Sequence, residues 1–160
     1  MVQYRNQKKE VYIVKLLKLL LAAAAVCIFA GCASTTQYVS LPDQSVEVED
    51  PDMGRIYVLR PDVLGSAVRM DVTANDELIG TTGGDGYLCW ETHPGMLTIT
   101  GHAENVSSID LSIQRGKAYY IYQAIRMGVW MARNELISLS EAKGKEYLQS
   151  CSPPAVVLEE

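Results

Sequence analysis

From Met53 onwards, apolar and polar residues alternate in short runs divided by turn residues, the pattern of strands half-buried in a sheet. In "GRIYVLRPD", Ile56 and Val58 share one face and Tyr57 and Leu59 the other. In "AVRMDVTAND", Val68, Met70 and Val72 oppose Arg69, Asp71 and Thr73. Asn75-Asp76 turns the chain into "ELIGTT", Gly83-Gly84-Asp85-Gly86 into "YLCWET", and His93-Pro94-Gly95 into "MLTITGHA". The runs "SSIDLSIQ", "KAYYIYQAIRM" and "NELISLSE" bring the total to eight. Runs roughly 8–12 residues apart with turns between them predict an all-β fold, an antiparallel β-sandwich of about 7–8 strands over residues 53–152. A short C-terminal helix is expected over Glu141 to Cys151, weakened by Gly144 at about 1 kcal/mol relative to Ala. Residues 153–160 are expected to form a disordered tail.

Ahead of this pattern lies a different kind of sequence. Residues 1–18 are basic, with Arg5, Lys8, Lys9, Lys15 and Lys18 against Glu10, and Leu19 to Ala30 then runs 12 residues without a charge. As a helix that run spans about 18 Å, short of a bilayer core of about 30 Å. Lengthening it backwards would bury Lys18 and Lys15 at a cost. A charged start, a short apolar run and small residues at its end describe a secretory signal peptide. Phe29-Ala30-Gly31-Cys32 resembles the bacterial lipobox, whose cysteine thiol receives a diacylglycerol before cleavage on its N-terminal side. The resemblance implies a lipoprotein signal peptide over residues 1–31 and a membrane anchor at Cys32 that incorporates palmitate. An uncleaved anchor, or an ordinary signal peptide cut nearby, is the other reading. Ala33 stands where an Asp would retain the protein in the inner membrane, which favours the outer membrane, facing the periplasm. The cell surface and the inner membrane are the alternatives.

Without residues 1–31 the chain has 129 residues, a size that suits one domain, and keeps 9 basic against 18 acidic residues, a net charge of −9. That charge argues against nucleic acid, whose binding rests on Lys and Arg neutralising phosphates, and against a polybasic grip on anionic lipid. Residues 33–52, "ASTTQYVSLPDQSVEVEDPD", carry five acids, no base and two prolines. They read as an acidic flexible tether running from the lipidated cysteine, with an end-to-end distance of about 25 Å.

The stretches "GRIYVLRPDVLGSAVRMDVTANDELIG", "GYLCWETHPG" and "GKAYYIY" resemble a bacterial family known as domain of unknown function 2846. Its members look like lipoproteins or secreted proteins with a strand–Arg-Pro–loop–Gly-Ser opening and a later aromatic–Pro-Gly hairpin. The resemblance covers roughly residues 53–140. It implies a prealbumin-like or carboxypeptidase-regulatory-like sandwich and offers no catalytic residues to carry over.

The residues themselves present no catalytic constellation, and no metal or other cofactor is expected. "GTTGGDG" lacks the Gly-Lys-Ser/Thr ending of a phosphate loop and leads into a strand, so it reads as a hairpin. No Gly-x-Ser-x-Gly elbow occurs. His93, His102 and Cys89 match no tight ligand spacing. Cys27 leaves with the leader and Cys32 is acylated, which strands Cys89 and Cys151 in an oxidising compartment as a candidate disulfide. Closing that loop would contribute about 4 kcal/mol in the chain-entropy model. One buried thiol and one free tail thiol is the alternative. Tyr120 and Tyr122 share a strand face and read either as core or as a stacking surface for glycan. In "MGVWMA", Met127, Val129, Trp130 and Met131 stand where polar turn residues are expected. They form either a plug on the sandwich end or an apolar contact surface.

Three functions compete. The first is a noncatalytic binding or structural module on a lipid anchor, and the second an assembly or stress accessory holding another envelope protein through a sheet edge. The third is a glycan- or peptidoglycan-directed module or enzyme.

Overall fold

Each of the eight runs forms a strand, and two short strands join them from segments that carry no alternation. A computed structural model describes residues 34–62, 68–127 and 132–158. Contacts divide the chain into Met1–Gly31 and Cys32–Glu160, and every described residue belongs to the second unit. In order the elements are β1 (Thr36–Gln37), β2 (Gly54–Arg60), β3 (Met70–Ala74), β4 (Glu77–Thr82), β5 (Gly86–Thr92), β6 (Gly95–His102), β7 (Val106–Ile113), β8 (Ala118–Met127), β9 (Ala132–Leu139), α1 (Glu141–Leu148) and β10 (Ala155–Val156).

One sheet has the order β10-β1-β4-β3-β6-β7 and the other β5-β2-β8-β9. Their inner faces meet in a core that includes Ile56, Val58, Val72, Leu88, Trp90, Ile99 and Ile121. The fold is the expected all-β sandwich, with one difference. β2 pairs with β8 in parallel, as β1 does with β10, so both sheets are mixed. Asn75 (φ 47°) and Asp76 (φ 68°) both take left-handed backbone, the requirement of a tight hairpin between β3 and β4.

The smaller sheet is covered on both sides, which is why every residue of β2 is buried. Ile56 and Val58 face the other sheet, while Tyr57 and Leu59 join Tyr87, Cys89 and Tyr120 in a second cluster. Helix α1 lies over this second face with Tyr147 and Leu148. Its N-cap is Ser140, whose hydroxyl accepts from the Lys143 N–H, and Glu141 pairs with Lys145 one turn on. A Cβ at Gly144 would fall 2.1 Å from Tyr120 Cγ, so the residue that weakens the helix also lets it lie directly on the strand. Tyr120 stacks on Tyr57 at 5.1 Å, and Tyr122 meets Tyr147 edge-on at 5.3 Å. The tyrosine face is therefore covered by the helix and is not a free stacking surface.

Two expectations about the ends are corrected. Residues 33–52 read as a flexible tether, yet from Thr35 onwards they are built into the sandwich. β1 pairs with β4 on one side and β10 on the other, and Thr35 and Gln37 are buried. The tail expected to be disordered supplies β10, with Ala155 and Val157 N–H groups donating to the Thr35 and Gln37 carbonyls at 2.9 and 2.8 Å. Two residues per strand is too short a run for alternation to reveal.

Candidate functional site

Residues 38–53 run as a strap from β1 to β2 across the end of the sandwich where β5 turns into β6. Between the strap, the β3–β4 turn and the ends of β5 and β6 lies a groove of about 610 Å³. That is within the usual size of a small-molecule site. Its apolar lining comes from Ile79, Trp90 and Leu97, continuous with the core, and from Val39, Leu41 and Met53 of the strap. Its polar lining includes Glu49, Asp50, Glu77 and Glu91, and no lysine or arginine is among the described residues that line it.

Glu91 is neutralised from behind. Arg55, fully buried, sets Nε and Nη2 each 2.9 Å from Glu91 Oε1. The same carboxylate accepts the N–H of Glu49 at 2.6 Å and of Asp50 at 3.0 Å, while Arg55 Nη1 donates to the Val46 carbonyl at 2.7 Å. One ion pair thus fastens the far half of the strap. The near half is held by Gln37, whose side-chain amide donates to the Cys89 carbonyl at 2.7 Å and accepts the Cys89 N–H at 2.8 Å. β5 is an edge strand, so this amide satisfies backbone groups that would otherwise face no neighbour. Gln44 adds contacts to Tyr57 Oη at 3.3 Å and Cys89 Sγ at 3.5 Å. Among the described residues, Glu49, Asp50 and Glu77 enter no ion pair, so the groove keeps their negative charge.

This arrangement can receive a positively charged group with an apolar stem. Ser40 and Thr92 bring hydroxyls to the groove, but neither histidine lines it. His102 Nε2 lies 3.3 Å from Thr73 Oγ1, and His93 is exposed in the β5–β6 turn. Among the described residues no three His, Cys, Asp or Glu side chains are grouped to hold a metal ion.

Cys89 and Cys151 are free thiols, and the bond expected from cysteine counting is not formed in the structure. Both touch the cluster around Tyr57 and Tyr87. Burial pushes each thiol up to about 11, so the thiolate that begins disulfide exchange is scarce near neutral pH. Cys32, Val129, Trp130 and Met131 lie outside the described residues, and Met127 is described only as the backbone end of β8. The groove itself was not anticipated. Its one legible trace is Arg55, a charge set into an apolar strand opposite Glu91 in the β2–β5 register.

Residues 50–135 match the family described as "Protein of unknown function (DUF2846)", more than half of the chain. The chain belongs to this family. A protein of Haemophilus influenzae (strain Rd) described as "Uncharacterized protein" is 24% identical over 140 residues, covering 84% of this chain and 83% of its own. The DUF2846 match takes in Arg55, Glu91, Glu77 and the β3–β4 turn but stops short of β1, most of the strap, α1 and β10. One wall of the groove therefore lies within the DUF2846 region and the other outside it.

Proposed function

We propose that this DUF2846 protein is a lipid-anchored envelope lipoprotein whose sandwich is a noncatalytic binding module, and that its groove receives a basic segment of another envelope protein. The observation that carries the reading is the groove's pairing of an apolar floor with three carboxylates that enter no ion pair among the described residues. An amine or guanidinium on an apolar stem satisfies both halves at once, whereas an anion or a plain hydrocarbon satisfies at most one. The sequence supports the anchor through the lipobox-like Phe29-Ala30-Gly31-Cys32, and an acidic chain suits a basic partner.

Two measurements test the two halves. Titration of the chain with short synthetic peptides pairing Lys or Arg with an aromatic residue should show binding that weakens with salt and with Glu77→Gln. Binding that ignores both changes, or none at all, removes the groove from the proposal. For the anchor, Cys32→Ala should abolish incorporation of labelled palmitate and release the protein from the membrane fraction; unchanged labelling removes the lipoprotein assignment.

A further inference from the structure

The corrected tether has a consequence for how the domain meets its membrane. Thr35 is buried, its Oγ1 accepts the Gly83 N–H at 3.0 Å, and its carbonyl accepts the Ala155 N–H at 2.9 Å. Only Ala33 and Ser34 separate it from Cys32. Three Cα–Cα steps reach at most about 11 Å, so a diacylglycerol on Cys32 leaves no slack for the spacer the sequence pattern describes. β10 starts beside this point and runs parallel to β1, so Val156, Val157 and Leu158, which are 41, 50 and 57% exposed, lie alongside Gln37 and the residues after it. Three consecutive exposed apolar residues at and just beyond a short edge strand are the kind of surface soluble proteins normally blunt with charge.

We propose that the β1–β10 edge rests on the lipid surface along its length, with Val156, Val157 and Leu158 immersed at the acyl boundary and the anchor at Cys32 entering from the other end of the edge. The inference rests on lipidation of Cys32. Lipid, and not a protein partner, is the occupant because the chain leading to the anchor ends two residues from this edge. The larger sheet then stands away from the bilayer, since β7 is five strand spacings from β10, about 24 Å. The acyl chains of Cys32 hold the protein down, and the edge sets its orientation.

The test uses the full chain, processed in a bacterial envelope, purified and reconstituted into phosphatidylcholine vesicles whose acyl chains carry bromine, a contact quencher of indole. Single variants Leu158→Trp and Val106→Trp add an indole at the β10 end and on the far strand β7, and each is compared with the parent in the same vesicles. The expected result is loss of most of the added emission at position 158 and little at position 106. Equal quenching at both positions, or none at 158 in protein that floats with the vesicles, overturns the inference while leaving the anchor intact. Flotation of Cys32→Ala protein as complete as that of the parent removes the anchor, and the inference falls with it.

Discussion

Arg55 and Arg60 stand five residues apart on one strand, both without solvent exposure, and they do opposite work. The odd spacing puts them on opposite faces of β2. Arg60 points between the sheets, where its Nη1 donates to the Val68 carbonyl at 2.7 Å and to the Thr82 carbonyl at 3.0 Å. It joins the segment just before β3 and the end of β4 to the smaller sheet through backbone acceptors. Arg55 points the other way and fastens the strap through Glu91 and the Val46 carbonyl. A guanidinium inside the sandwich closes one end; a guanidinium outside it keeps the wall of an open groove in place.

The largest expected effect of breaking this contrast is at Arg55. Arg55→Met leaves the nearly buried Glu91 carboxylate without its cation and should cost about 3–5 kcal/mol in chemical denaturation. Amide exchange should accelerate over residues 43–50 first. Arg60→Met strands two carbonyls and should cost about 1–3 kcal/mol, leaving exchange in the strap unchanged. If Arg60→Met loosens the strap as much as Arg55→Met does, the two arginines are not independent clamps.

A substitution at Gly144 sharpens the view of the face that Arg55 shares with α1. On helix propensity alone, Gly144→Ala gains about 1 kcal/mol. The Tyr120 ring stands where the methyl would go, so the net should be a loss of about 1–3 kcal/mol. A rise in the unfolding midpoint would mean that α1 does not lie against β8.

The same face carries a pH dependence. Burial raises Cys89 and Cys151 from ordinary values near 9 to about 11, and raises Tyr122 to about 12. Between pH 9 and 11 the unfolded chain loses thiol protons that the folded chain keeps. The stability held below pH 9 should therefore fall as pH climbs through that window. Cys151→Ala should flatten the fall, as read from denaturation midpoints at pH 8 and pH 10.5. The smallest effect is at the groove rim: Glu77→Gln should change stability by less than about 0.5 kcal/mol while weakening the salt-sensitive binding of basic peptides.

The strands were legible because alternation reports one buried face, and Val68, Met70 and Val72 faced inward against Arg69, Asp71 and Thr73 as read. The helix was legible from its composition, but the use of Gly144 was not, because its reason is a tyrosine ring on another strand. The site was hidden for a related cause. Polar, proline-containing residues 38–53 look disordered when only local burial is counted, and what orders them is long-range: Glu91, Arg55 and the peptide of Cys89. An amide such as Gln37, standing in for a missing strand neighbour, has no period at all.

The place of β1 between β4 and β10 also bears on mechanical load. Were the protein held at Cys32 as proposed, a pull on the domain would pass through Thr35, Thr36 and Gln37. On one side this segment is joined to β4, and on the other to β10, which runs parallel to it. Tension along β1 shears both sets of hydrogen bonds together instead of opening them one at a time. If Cys32 carries the proposed anchor, β1, only two residues long, is the coupling to the bilayer, and a tug there must slide it past β4 and β10 before it reaches the core.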